Sequence, residues 1–402
     1  MSRIEQLIAE LCPDGVEFKE LGKIGEFYGG LSGKSKNDFQ DGNARFVTYM
    51  NVFSNITVKT DIDVFVKIGE DENQNRVEYG DVLFTGSSET PDECGMSSVL
   101  TEMFDEPLYL NSFCFGFRLY NEDLLLPDFS KYLFRDINIR KQISQTANGV
   151  TRFNISKKRF AKISIPIPPL PIQQEIVRIL DTFTDLDAEL QAELEARKKQ
   201  YEHYRNELLN FEGKEVEWKT LGEVGKVCIC KRVMKHETNS SGQIPFYKIG
   251  TFGKEANAYI SRELYDDYKK KFSFPCKGDI LISASGTIGR RVIYDDKPAY
   301  FQDSNIIWLS LTNNMLLNKY LYYIYETIEW PVEGGTIKRL YNDNFKKIKI
   351  PIPPLSEQER IVTILDKFEA LVNEELPAEI SARRKQYEHY REKLLTFEPP
   401  VS

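Results

Sequence analysis

The chain has no run of about 18 apolar residues, so no membrane-crossing helix is expected. Its first twelve residues, MSRIEQLIAELC, carry two acidic side chains and no apolar segment, so no secretory signal is expected there. Six cysteines occur without a single C-x-x-C pair, which points to free thiols in a reducing, cytoplasmic setting. Cys228, Cys230, His236 and Cys276 fit no common zinc spacing, and the first half of the chain has no equivalent, so the three cysteines read as buried thiols. With only His203, His236 and His389 present, a histidine-based active site is poorly supplied. No G-x-G-x-x-G and no Asn/Asp-Pro-Pro-aromatic motif is found, and nothing supports a carboxylate–metal nuclease centre. The segment Gly29–Ser35, GGLSGKS, approaches a phosphate-binding loop, but the position that must be glycine is Tyr28. It reads as a flexible surface loop.

What is present is globular composition: 402 residues, 41% hydrophobic and 28% charged, enough for two or three domains. The formal charge of −8 excludes a uniformly basic nucleic-acid coat but leaves room for a local basic site.

The strongest signal is internal duplication. IPIPPLPIQQEIVRILDTF (165–183) returns as IPIPPLSEQERIVTILDKF (350–368), and RKKQYEHYRNELLNFE (197–212) as RRKQYEHYREKLLTFE (383–398). Fainter echoes pair VEFKELG (16–22) with VEWKTLG (216–222), and GDVLF (80–84) with GDILI (278–282). Each half is thus a variable block followed by a nearly identical one. This implies four segments: 1–164 and 216–349 as globular blocks, 165–215 and 350–402 as arms.

In the first arm, Ile176, Phe183, Leu190 and Tyr204 lie on one seven-residue row, and Leu180, Leu194, Tyr201 and Leu208 on another, the a/d stripe of a coiled coil. Pro171 suits a helix start. In the second arm Ser356 and Glu359 form a candidate capping box. One extra residue between Leu371 and Leu376, followed by Pro377, predicts a kink or break near Asn373–Pro377. The variable blocks read as mixed α+β: GDVLF, LYLNSFCFGFRLY, GDILISA and NIIWLSL as strands, 131–144 and 318–328 as helices, and a closing strand leading into each arm. The repeat is circularly cut, so the helix at 4–11 is expected beside the end of the second arm.

Charge is placed unevenly. Residues 137–162 hold seven basic side chains (Arg140, Lys141, Arg152, Lys157, Lys158, Arg159, Lys162) and no acidic one. Residues 334–350 hold five (Lys338, Arg339, Lys346, Lys347, Lys349) against Asp343. Both runs precede an arm and include a small polar turn, Asn148–Arg152 in one and Gly334–Thr336 in the other. Lysine and arginine neutralise phosphates, and Asn, Arg, Thr and Ser read base edges. The candidate DNA contacts are therefore Asn148, Thr151, Arg152, Asn154 and Lys157 in the first block, with Lys34, Lys36, Ser87 and Ser88 on its other polar turns. In the second block they are Lys231, Arg232, Thr336, Lys338 and Arg339, with Ser285, Thr287 and Arg290 around the glycine-rich SASGTIG turn.

The I-P-I-P-P-L lead, the Q-Q-E-I-V-R-I-L-D and S-E-Q-E-R-I-V-T-I-L-D segments and the K-Q-Y-E-H-Y-R ends, each placed twice, resemble the specificity subunit of Type I restriction–modification enzymes. The resemblance covers essentially the whole chain. It implies two α+β target-recognition domains, each reading one half of a split site in double-stranded DNA, and two arms paired as an antiparallel coiled coil. It implies no catalysis and no cofactor in this chain. Two modification subunits would use S-adenosylmethionine, and restriction/translocase subunits would use ATP and Mg. The competing reading is a coiled-coil scaffold that joins proteins without reading DNA.

Overall fold

The computed structural model describes residues 3–334 and 338–400. Contacts divide the chain into two compact units, 1–190 with 379–402, and 191–378. Each unit therefore owns the start of one arm and the end of the other.

The two units repeat one topology. In unit 1 a four-stranded antiparallel sheet runs in the order Gly25–Gly29, Cys114–Leu119, Val82–Thr85, Ser97–Val99. In unit 2 the order is Gly225–Cys228, Ile306–Leu311, Ile280–Ser283, Arg291–Ile293. A second, three-stranded sheet lies in each unit, built on Ala44–Val47 and on Ile244–Tyr247, each with one parallel neighbour. The strand closing each block pairs with the one that opens it: Ser164–Pro166 with Phe18–Glu20, and Lys349–Ile352 with Glu217–Thr220.

The GD echo marks one turn built twice. Gly80 and Gly278 adopt φ of +87° and +91°, a region that favours glycine. The following aspartates accept from the chain three residues back, Asp81 from Glu78 N–H and Asp279 from Cys276 N–H, both at 2.8 Å. The strands that follow are buried on both faces. Val82 and Phe84 enter one core while Leu83 enters another, and Ile280 and Ile282 part from Leu281 in the same way. That double burial is why these segments read as unbroken apolar runs rather than alternating ones. Phe115 and Phe117 enter the main core as their alternation predicts, but Phe113 lies outside the strand and is exposed.

Each main core is closed by an arm. In unit 1 Ile172, Ile176 and Leu180 pack with Phe84, Phe160 and Tyr132, joined by Leu394 and Leu395 from the end of the second arm. In unit 2 Ile361 and Leu365 take the same part, joined by Leu209 and Phe211. Each such fully buried side chain contributes about 1.5–3 kcal/mol. The first arm is one helix, Leu170–Leu208. Within unit 1 the arm segments run antiparallel: Phe183 meets Tyr387 and Tyr390, and one turn on Asp187 meets Arg384. Within unit 2 Tyr204 stacks on Phe368 at 5.4 Å.

One buried glutamine fastens each arm to its block. Gln173 accepts from Leu126 N–H and donates to the carbonyls of Leu124 and Pro168. Gln358 accepts from Leu317 N–H and donates to the carbonyls of Met315 and Pro353. Both have no exposed surface. A tyrosine adds a second tie, Tyr132 donating to Asp181 at 2.6 Å and Tyr323 to Asp366.

Several local expectations are corrected. The irregularity expected near Asn373–Pro377 is present, but as a wider turn within the helix rather than a break. Leu371–Glu375 forms a π-turn, with Leu376 N–H donating to Leu371 C=O, between helices Leu355–Ala370 and Leu376–Leu395. A wider turn absorbs one inserted residue, and Pro377, which lacks an N–H, follows directly on it. Ser356 forms no capping box, because the helix already begins at Leu355 after Pro354. The helix expected over 131–144 is two, Pro127–Leu133 and Ile137–Ser144, since Asp136 caps the second by accepting from Asn138 N–H. Of the cysteines read as buried, Cys228 and Cys230 are so but Cys276 is exposed. Burial pushes the Cys230 thiol up to about 12, which makes it inert at neutral pH.

The helix Arg3–Leu11 lies where the circular cut places it. Ile4 shares the core of Leu394 and Leu395, and Val16 N–H donates to Glu398 C=O at 2.9 Å. Among the described residues no helix is long and apolar enough to cross a membrane.

Candidate nucleic-acid interface

The first basic run folds into a hairpin. Ala147–Asn148 pairs antiparallel with Phe153–Ile155, which pairs in turn with Ser87–Ser88. Its tip, Gly149–Arg152, projects from the unit, with Val150 92% exposed. Gly149 has φ of +145°, and a Cβ there would meet the Arg152 carbonyl at 2.0 Å, so the turn requires glycine.

Arg152 is held at the base of the tip. Its Nε and Nη2 donate to Ser87 Oγ at 3.3 and 3.1 Å, and its guanidinium sits 5.4 Å from the centroid of the Phe113 ring. Such a cation–π contact is worth about 0.5–1 kcal/mol at an exposed site. A cleft of 510 Å³ opens beside it, lined by Tyr49, Met50, Phe53, Ser88, Glu93 and Thr151 among others. Asn148 is exposed and accepts from Arg159 at 3.0 Å, Asn154 is exposed on the central strand, and Lys157 extends past the Phe115 ring.

Unit 2 builds the same edge from other residues. Arg339 bridges to Glu333 on one side and to Ser285 on the other. Leu340 N–H donates to Ala284 C=O as Ile155 N–H donates to Gly86 C=O, at 2.9 and 3.0 Å, so the strands are in the same register. Arg339 Nη2 donates to Ser304 Oγ at 3.2 Å and Asn305 Oδ1 at 3.3 Å, and Ser285 Oγ donates to the same Asn305 oxygen at 2.9 Å. Ser304 is one of two described non-glycine residues with positive φ, at +54°. Arg232 joins the cluster through Asp303 at 2.8 Å. Lys338 is exposed, and Thr336 lies outside the described residues.

Other candidates are engaged elsewhere. Lys34 donates to Glu72 and to the Lys67 carbonyl, with its side chain 8% exposed. That contact, with Gln74 and the Gly69 N–H, holds the Glu72 carboxyl down to about 2. Lys34 is thus a loop staple rather than a free cation, while Lys36 nearby is exposed. Arg290 donates to the Phe252 carbonyl at 2.7 Å, and Lys231 covers the Phe272 ring. Thr287 is exposed on the SASGTIG turn, where its carbonyl accepts from Ser283 Oγ. Arg140, counted in the basic run, turns inward onto the carbonyls of Asp92, Gly95 and Cys94, and burial lowers its guanidinium to about 10.

Phe113 and Asn305, the two braces, are absent from the sequence-based candidates. They precede equivalent strands, Cys114–Leu119 and Ile306–Leu311, in the segments Asn111-Ser112-Phe113 and Asp303-Ser304-Asn305. Aligning the two halves on those strands brings them together. Among the described residues no group of three or more His, Cys, Asp or Glu is placed to hold a metal ion.

Residues 13–196 and 213–382 match a protein family described as the Type I restriction modification DNA specificity domain. A putative type I restriction enzyme specificity subunit of Haemophilus influenzae, S.HindORF215P, is 56% identical over 263 residues, 62% of this chain and 68% of that protein. The EcoR124I/EcoR124II specificity subunit of Escherichia coli is 36% identical over 270 residues, 61% of this chain and 65% of that protein. The fold is similar to that of an HsdS subunit from Thermoanaerobacter tengcongensis, with a TM-score of 0.57 at 17% identity over 96% of both chains. A chain solved in a study of the assembly and conformational transition of the type I R-M system aligns with a TM-score of 0.63 at 18% identity, over 95% of this chain and 98% of that one.

Proposed function

The chain belongs to the Type I restriction–modification DNA specificity family, and from that premise we propose that each unit reads one half of a two-part double-stranded DNA target while the paired arms fix the spacing. The observation that carries this is the hairpin edge built twice, in one register, with an arginine on each edge that no carboxylate neutralises among the described residues. Around each edge stand exposed lysines, Lys157 and Lys158 in unit 1 and Lys338 in unit 2, suited to phosphates. The chain performs no chemistry of its own in this reading. It docks two modification subunits, which bring S-adenosylmethionine, and restriction/translocase subunits, which bring ATP and Mg. The assembly works in the cytoplasm.

Titrating the chain, alone and with its modification subunits, against random and target duplex at several salt concentrations tests the proposal. A DNA reader gives an affinity that falls steeply with salt, with a slope of about 0.9 for each phosphate neutralised. A flat response would leave the protein a scaffold.

The arms are proposed as the ruler because they stay alike while the blocks they serve differ. Inserting four residues after Leu190 adds about 6 Å and roughly one helical turn. The methylated motif is then expected to gain one or two base pairs of spacer with both half-sites unchanged. Changed half-sites at a fixed spacer would assign the ruler to the globular parts.

A further inference from the structure

Arg152 and Arg339 do not occupy matching positions in the repeat. The register that equates Ile155 with Leu340 puts Asn154 opposite Arg339, and Arg152 two residues before. Arg152 stands on the projecting tip just before its strand, whereas Arg339 stands at the bridged position itself. The two guanidinium groups therefore reach one place from different positions, each next to the serine of the equivalent turn, Ser87 or Ser285. Their braces differ as well, a phenyl ring in unit 1 and an amide and a hydroxyl in unit 2. What the two arrangements share is a planar cation aimed by neutral groups on a strand-backed edge, with no ion pair among the described residues. Arg45, Arg118 and Arg232 are neutralised, by Glu106, Asp81 and Asp303, whereas Arg159 and Arg290, which also lack an ion pair among the described residues, donate to main-chain carbonyls instead.

A cation needed only for phosphate gains little from being aimed, and mobile lysines beside it already serve. A fixed, unneutralised fork suits an acceptor pair of fixed geometry. In duplex DNA such pairs are O6 and N7 of guanine in the major groove and the two free oxygens of a phosphate, and of these only the guanine pair carries sequence information. We infer that Arg152 and Arg339 each read one guanine, so that each half-site contains a G·C pair recognised by its own unit. This rests on the DNA-reading function proposed above and names the residue that sets one base in each half.

The test uses the full chain co-expressed with its modification subunits, with methylated motifs read by sequencing and affinities measured on duplexes altered at one base pair. The intact protein is expected to give a G·C pair in both half-sites. Arg152→Ala should make one such position degenerate, cutting discrimination there by about 5- to 150-fold, with the other half-site unchanged as the control for folding. Arg339→Ala should do the same in the other half. Arg152→Lys and Arg339→Lys keep the charge and lose the fork, and should relax the same positions while leaving the salt slope intact. The inference is overturned by a half-site without a G·C pair. It is also overturned if the alanine variants weaken binding equally on every sequence and lower the salt slope by about one unit, the mark of a phosphate contact. That second outcome leaves DNA reading standing. A complex with no sequence preference at all would sink both.

Discussion

The two hairpin edges share backbone register and differ in nearly every side chain on them. In unit 1 the arginine comes from the projecting tip and rests on an aromatic ring, and the cleft beside it is rimmed by Met50 and Phe53. In unit 2 it comes from the bridged position itself and is held by polar atoms of the Asp303–Asn305 turn. By contrast the glutamine clasps, the tyrosine–aspartate ties and the GD turns are the same in kind in both units. Variation is concentrated where an external partner would be met, and identity where the chain meets itself.

This contrast can be broken or sharpened by substitution. The largest effect is expected from the clasps. Gln173→Ala or Gln358→Ala leaves three backbone groups unpaired, one buried and two part-buried, and at about 1–3 kcal/mol for a buried unpaired group each should cost about 2 kcal/mol or more in urea unfolding of the full chain. A cost below about 1 kcal/mol in one unit would show that its clasp is not equivalent to the other. Next in size are the exposed lysines. Lys157→Ala and Lys338→Ala should each lower the salt slope of DNA binding by about one unit, alike on all sequences. Phe113→Ala should loosen Arg152 by about 0.5–1 kcal/mol and blur one base of one half-site, whereas Asn305→Ala, which removes no ring, should blur the other half without a cation–π loss.

The smallest effect is expected at Asp187. Its carboxyl is held below the usual range by hydrogen bonds from Arg384, on a partly exposed surface of unit 1. A depressed folded value means that the pair stabilises above the ordinary carboxylate range and loses that contribution as pH falls through the lowered value. Asp187→Asn should therefore cost about 0.5 kcal/mol near pH 7 and nothing at strongly acid pH. An unfolding difference that persists at low pH would assign the cost to packing.

Much of the fold was legible because the repeat carries it. The arms, their heptad rows, the central strands of both blocks and the helix at 4–11 beside the second arm all follow from pattern and offset. The misses share a cause. Propensity alone does not say that a π-turn can absorb an inserted residue, or that Asp136 caps a new helix inside an apparently continuous one. Charge alone does not say which way a cation points. Lys34 and Arg140 sit in basic or glycine-rich stretches yet spend their donors on the protein itself, while Phe113, uncharged, holds the arginine that faces outward.

The glutamine clasps carry one more implication. Each grips its block only through main-chain N–H and C=O groups, those of Leu126 and Leu124 in one case and of Leu317 and Met315 in the other, while its third bond goes to a carbonyl of its own arm, Pro168 or Pro353. Every polypeptide offers those groups whatever its side chains, so the socket is blind to what it holds. A block rewritten throughout its surface still seats on the same arm, provided the chain makes the same short turn before the helix. The joint between reader and ruler is in that sense a universal fitting, indifferent to the text being read.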